Sequence, residues 1–494
     1  MKKVVMLFMF TVMSVSLFAQ NGARLIDYNA KSIGRGGTSI GIFDSPNLML
    51  TNPGGISFLE KSQLDVNFSA MIPSLHFKND LNDKDGEDSF FPLPSIAYVN
   101  KCKENAVTWG FGVFTIGGMG AEFDLKHQLY GDDLQNYYSN LGIIQFGPSI
   151  AYKFNENLSV GISAHLVYAM MDFRMPFAMA PEMLGGQIPG MGGMSFGGLF
   201  AAPPQMGGFG YDELTAYSRM DDLSALGFNG KIGVAYKVNE KLSLGLKYSL
   251  PTKLNFKDGT ASMDMSAQFN EAVGLAIQGT MAQGYTMEQA QGAVMQQFGG
   301  MGIDVNDAMI NGVVSEYDLE AELTMPQSLG FGISYAPVPC LRLALDAEWL
   351  NWSDAFDTMT LTMTDGTNNN VNTMLGSESI TIPFQMNWED TYIVKLGVEY
   401  DVNKQITLRG GTALGSNPVP DATVFPVFPA IVENHIMFGA SYKVSEPITV
   451  HASFQKALDN DQTGSSDNVV SREFRNATNT LGNSFFNLAL SWTL

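Results

Sequence analysis

An alternation of period two constrains this chain more than any other feature. In the segment 241–250, KLSLGLKYSL, Leu242, Leu244, Leu246 and Tyr248 fall on one face, and Ser243, Gly245, Lys247 and Ser249 on the other. The pattern recurs at 230–238, 341–349, 393–400, 435–444 and 448–454, each run followed by a turn signal. Side chains of a strand point to opposite faces in turn, so repeated alternation specifies strands that are apolar on one face only. Two architectures use such strands. A soluble sandwich turns the apolar face to a core. A transmembrane barrel turns it to lipid and lines its lumen with the small, polar face.

Three details select the barrel. Gly, Ser and Lys occupy the polar face in mid-strand, which suits a lumen. Tyr152, Tyr236, Tyr335, Tyr400, Tyr442 and Trp492 stand near strand ends, where aromatic residues favour the membrane interface. The connections also alternate in length. Tight turns are expected at 100–105, 155–157, 239–241, 336–340, 402–405 and 444–447. Long connections are expected near 79–90, 118–138, 175–222, 259–316, 361–386, 417–432 and 460–474. Six turns and seven loops separate fourteen strands, an even number with both ends on the periplasmic side. The last strand, FFNLALSWTL, carries Phe486, Leu488, Leu490, Trp492 and Leu494 on one face. In water that edge would invite aggregation. The fold expected is therefore an all-β, transmembrane antiparallel barrel of fourteen strands.

Charge and termini set the compartment. Charged residues are 16% of the chain, against about 25% in soluble domains. A net charge of −21 argues against nucleic acid and against docking on an anionic leaflet through a polybasic patch. Residues 1–19 read as a signal peptide: Lys2 and Lys3, an apolar run from Val4 to Phe18, then the small residue Ala19. No later run of eighteen apolar residues supplies a transmembrane helix. Outer-membrane lipid and lipopolysaccharide are the expected surroundings, and a monomer the expected state. Cys102 and Cys340 make no disulfide framework, and whether they pair stays open.

Catalytic chemistry has little to stand on. His76, His127, His165, His435 and His451 sit in no Gly-x-Ser-x-Gly elbow and no His-Glu-x-x-His pair. In the acidic stretch 80–88, setting Gly86 at the sixth position of a calcium loop puts Leu81 at the first, so the ligand spacing fails. No enzyme activity, metal or cofactor is expected.

Residues 20–60 do not alternate. They are rich in Gly and turns and precede the first strand, which suits a plug inside a barrel wide enough to need one. The barrel proper then runs over 61–494. The stretch 32–59, SIGRGGTSIGIFDSPNLMLTNPGGISFL, resembles the N-terminal hatch of the long-chain fatty-acid transporter family, FadL and the toluene-channel TodX group. Gly34, Arg35, Gly36 and Gly37 match its Gly-Arg-Ala-Gly stretch, and Asn52, Pro53 and Gly54 its Asn-Pro-Ala motif, with Gly for Ala at 36 and 54. Downstream, Arg409, Gly411, Pro418, Val419, Pro420, Asp421, Gly439, Ser441 and Tyr442 carry a second resembling block.

The resemblance implies passive uptake of hydrophobic molecules, fatty acids first, through a capture site on the third and fourth external loops, a lumen pocket and hatch movement. It also implies a sideways exit at a kink in the third strand, for which TIGGMG at 115–120, at the top of that strand, is the candidate. A general porin and a surface adhesin remain alternatives.

Loop composition fits capture. The stretch 175–210 has six Met and one charged residue, Glu182. Apolar residues at Phe269, Val273, Ile277 and Met281, then Met287, Ala290 and Val294, repeat at helical spacing. Met-rich surfaces adapt to varied apolar ligands. The expected groove comprises Met175, Phe177, Met179, Met191, Met194, Phe196, Phe200, Met206, Phe209, Phe269, Ile277 and Met281. A fatty-acid carboxylate in a low-dielectric lumen needs a cation. By alternation, Lys231, Lys247, Lys395 and Arg409 face inward at mid-height, beside Asp346, Glu348 and Glu399.

Overall fold

A computed structural model describes residues 22–101 and 106–494. The expected signal peptide and Cys102 lie outside them. Fourteen antiparallel strands follow in chain order. They are β1 Gln63–Lys78, β2 Phe91–Lys101, β3 Val107–Lys126, β4 Leu134–Lys153, β5 Leu158–Met179 and β6 Leu214–Lys237. Four interrupted strands come next: β7 Leu242–Ser249 with Thr252–Asp264, β8 Val314–Met325 with Ser328–Val338, β9 Leu341–Leu350 with Thr358–Thr364, and β10 Ile380–Gln385 with Thr391–Asp401. The last four are β11 Ile406–Gly415, β12 Asn434–Lys443, β13 Ile448–Thr463 and β14 Thr478–Thr493. Each pairs with its sequence neighbours, and β1 pairs with β14 from Gln63–Thr493 to Lys78–Thr478, closing the barrel.

The closure relieves the apolar terminal edge. Phe486, Leu488 and Trp492 are 53%, 60% and 45% exposed toward lipid, while Asn487, Ala489 and Ser491 face inward. Tyr152, Tyr236, Tyr335, Tyr400, Tyr442 and Trp492 are all exposed, and each lies within a few residues of the periplasmic end of its strand. Together they form an interfacial girdle. Replacing Leu488 by Arg should destabilise the barrel by about 2–4 kcal/mol, the cost of a cation near the bilayer midplane. Unfolding in lipid vesicles measures it; a change below about 0.5 kcal/mol would mean this face meets water.

The pattern inverts toward the outside. In the membrane band apolar residues face out. Above it, on β5, Met171, Phe173, Met175, Phe177 and Met179 are buried inside, while Arg174 turns outward to Asp221 at 2.8 Å. On β8, Tyr317, Leu319, Ala321 and Leu323 are buried, and Glu316, Asp318, Glu320 and Glu322 are exposed. Water replaces lipid as the outer solvent at this height, so the apolar face moves inward. The upper barrel is thus an apolar sleeve with a charged exterior. The interruptions at 250–251, 326–327, 351–357 and 386–390 mark where β7 to β10 pass from one regime to the other.

This inversion shortens the loops relative to expectation. The third long connection begins after Met179, so Met175, Phe177 and Met179 belong to strand β5 and not to a loop. The expected helices are present as Ser266–Met281 and Met287–Gly300, the second with a Thr286–Gln289 capping box.

Candidate functional site

Residues 22–59 fill the lumen and are mostly buried. Glycine lets their backbone touch the wall. Gly34 faces Gly439, where a Cβ on Gly34 would stand 2.8 Å from the Gly439 Cα. Gly36 has φ +71, and a Cβ there would overlap the Leu396 carbonyl oxygen. Asn52 donates to the carbonyls of Ile40 at 2.8 Å and Val234 at 3.0 Å, tying segment to wall. The change Gly36→Ala adds left-handed strain of about 1–2 kcal/mol to that overlap. It should displace the segment, read as faster proteolysis within 22–59; an unchanged rate would contradict the contact.

Charged residues lock the segment from two sides. Glu348 on β9 is held by three cations at 2.6 Å: Arg24 of the segment, Lys247 and Lys395. Glu399 on β10 meets Arg35 of the segment at 2.8 Å, Arg342 at 2.8 Å and Arg409 at 2.6 Å. Arg35 also reaches Asp44 at 3.1 Å. Asp346 accepts the backbone N–H groups of Ser39 at 2.7 Å and Ile40 at 2.9 Å. Three of the four expected ligand cations, Lys247, Lys395 and Arg409, are therefore engaged by wall carboxylates.

Lys231 differs. Its Nζ donates to the amide oxygens of Gln145, at 3.2 Å, and Asn229. No carboxylate pairs with it among the described residues. It lines a cavity of about 40 Å³ with Arg24, Tyr28, Gln145, Asn229 and Lys247. His165 lies behind Gln145, its Nδ1 accepting from Nε2 at 2.8 Å. The sequence flags Lys231 as luminal. Gln145 and Asn229 carry no such signal, because a neutral amide on an alternating strand reads as ordinary lumen lining, and Arg24 lies in a segment without periodicity.

A second cavity, of about 60 Å³, lies between Gly22–Ile26, β1, β3 and β14, lined by Met71, Pro73, Leu75, Met119, Leu481 and Phe485 with Gln455 and Asn483. Ligand pockets usually measure about 300–1,000 Å³. A long-chain ligand must therefore displace protein atoms from this space. Beside it the wall is irregular. Pairing of β2 with β3 ends at Ser95–Phe114, whereas β3 stays paired to β4 up to Lys126. A bulge falls between Thr115 and Gly117, in the middle of β3 and not at its top. Gly118 N–H donates to Ala23 at 3.0 Å, and Leu25 N–H to Ile116 at 3.3 Å. The first residues of the luminal segment thus cover the unpaired stretch from within.

The external loops are packed on themselves. Phe200 and Phe209 rings lie 5.2 Å apart, Phe209 and Phe298 6.4 Å, and Phe269 and Phe298 5.7 Å. Phe196, Phe200 and Phe269 are buried; Phe209 and Ile277 are partly so. Only Met191, Met194, Met206 and Met281 of the expected groove are exposed, Met206 at 78%. The expected groove is filled by the loops' own side chains.

A family model described as outer membrane protein transport protein (OMPP1/FadL/TodX) matches residues 12–490. Long-chain fatty acid transport proteins of Escherichia coli strain K12 and Shigella flexneri are 23% and 22% identical over 267 residues, 51% of this chain and 52% of theirs. The chain so spans about half the length of these curated relatives. The crystal structure of the Pseudomonas putida toluene transporter TodX aligns with a TM-score of 0.66 at 17% identity, covering 96% of this chain and 100% of that one. A Pseudomonas aeruginosa FadL homologue aligns at 0.67 and 17%, covering 96% and 99%. At these identities the likeness concerns the fold.

Proposed function

Since this chain belongs to the OMPP1/FadL/TodX family of outer membrane transport proteins, we propose that it carries hydrophobic molecules with an acidic head, long-chain fatty acids foremost, inward by diffusion. The carrying observation is Lys231: of the four expected ligand cations it alone meets only neutral amides, at the edge of a luminal cavity. A carboxylate ligand supplies the charge-assisted partner that Lys231 lacks. The apolar sleeve above matches the chain of such a ligand in chemistry, once its packed side chains move aside. The named relatives are fatty-acid transporters in one case and a toluene transporter in the other, and Lys231 favours the acid.

In this reading residues 22–59 act as a hatch. Ligand arriving through the Met-rich loops displaces the edge Gly22–Ile26, which enlarges the cavity beside it. That edge also covers the unpaired stretch of β3, so the same displacement opens a sideways path into the membrane. No energy source enters these steps. Competition between oleate and a neutral alkane for uptake by vesicles carrying the protein tests the proposal. Preferential oleate uptake is expected; preference for the alkane would favour a hydrocarbon channel instead.

A further inference from the structure

The loop joining β13 to β14, residues 464–477, closes over the outer end of the lumen. Its turn Arg472–Phe474 seats Phe474 on an aromatic floor, with ring centroids 6.2 Å from Phe77 and 6.0 Å from Phe425. Beside it Glu473 turns inward. Its Oε2 accepts from the Tyr137 hydroxyl at 2.7 Å. Its Oε1 is sealed from solvent without a hydrogen-bond partner, and no basic side chain pairs with it among the described residues.

The surrounding groups offer no compensation. Glu213, at the outer end of β6, accepts from Arg472 N–H at 3.1 Å and Ser471 Oγ at 3.3 Å, and repels a second negative charge. Arg472 reaches out to Asp212 at 3.2 Å, and Arg475 is exposed. The Tyr130 phenol also faces Glu473, and Tyr217 lies beside Tyr137. The Asn79 amide donates to the Glu473 carbonyl, not to its carboxyl. An ionised carboxylate is costly in such a place.

We propose that loop 464–477 is an acid-latched lid: neutral Glu473 holds Phe474 on its floor, and ionisation of Glu473 frees the loop and uncovers the apolar top of the lumen. The inference concerns access and holds whatever the transported molecule is. Burial and the neighbouring Glu213 push the Glu473 carboxyl up to about 8. A carboxyl whose value is raised in the seated loop binds its proton more tightly there than when released. Seating is therefore strongest below the ordinary Glu value of about 4.3. It weakens as pH rises from there to about 8 and is lowest above that.

Hydrogen exchange of the full protein in lipid vesicles tests this, corrected for the intrinsic pH dependence of exchange. The reporters are three lid amides, Gly464 on Ala477 at 2.8 Å, Val469 on Ala422 at 2.9 Å and Asn476 on Gly464 at 3.0 Å. Their protection should fall at least tenfold between pH 5 and pH 9 while strand amides of β13 and β14 keep theirs. In Glu473→Gln the fall should shrink below twofold. A flat native profile overturns the proposal, and so does an equal fall in the Gln variant. If that variant does not assemble, the native profile alone decides.

Discussion

Replacing Glu348 with Ala is expected to destabilise the protein by about 3–5 kcal/mol and to loosen the luminal segment. The substitution removes one carboxylate and strands three cations, Arg24, Lys247 and Lys395, each 2.6 Å from it. Breaking a buried ion cluster from one side leaves uncompensated charge in a low dielectric, which costs far more than the cluster contributed. Arg24 belongs to the same edge that covers the unpaired stretch of β3. Its release should raise ion leakage through the barrel as well as lower the unfolding midpoint. Glu348→Gln keeps the shape but not the charge, so it should give most of the same loss. A change under about 1 kcal/mol in both variants, with no leak, would show that the segment is held by backbone contacts alone.

Replacing Lys231 with Met is expected to weaken binding of a fatty acid by about 10- to 100-fold, the equivalent of one charge-assisted hydrogen bond of about 1.5–3 kcal/mol. Binding of a neutral hydrocarbon should be unchanged. Met preserves the length and much of the volume of the stem, so the cavity beside Gln145 and Asn229 keeps its outline. Calorimetric titration with oleate and with a neutral alcohol of the same chain length reads the difference. Equal loss for both ligands would mean that Lys231 shapes the cavity and does not read charge. The prediction differs for Lys247 and Arg409. Their partners Glu348 and Glu399 would be freed by substitution, and any loss would be confounded by movement of the segment.

Much of this architecture is legible in the sequence where lipid is the outer solvent. There the alternation is strict, and Leu488 or Tyr236 can be placed outside and Asn487 or Ala235 inside from their neighbours alone. The count of fourteen strands follows from that band. Legibility fails above the membrane, where the apolar face turns inward. Met175, Phe177 and Met179 still alternate, but on the opposite face and next to a Gly- and Pro-rich stretch, so they read as loop. The interruptions in β7 to β10 hide the same change.

The site was legible only as a list of charges. Alternation placed Lys231, Lys247, Lys395 and Arg409 in the lumen together with Glu348 and Glu399. It carried no register between distant strands, so it could not say which cation meets which carboxylate. Arg24, which completes the Glu348 cluster across 324 residues of sequence separation, lies in a segment without periodicity. The aromatic seat of Phe474 joins three separate elements, β1, the β11–β12 connection and the loop itself, and leaves no local trace.

A barrel plugged in this way should be closed to ions and yet pass hydrophobic molecules. Paired measurements on one reconstituted preparation test it most directly: ion current across a planar bilayer, and delivery of labelled oleate across vesicles. A plugged barrel of this kind gives little steady current together with oleate delivery well above that of protein-free vesicles. A large ohmic current with no enhanced delivery would contradict it and identify a general porin.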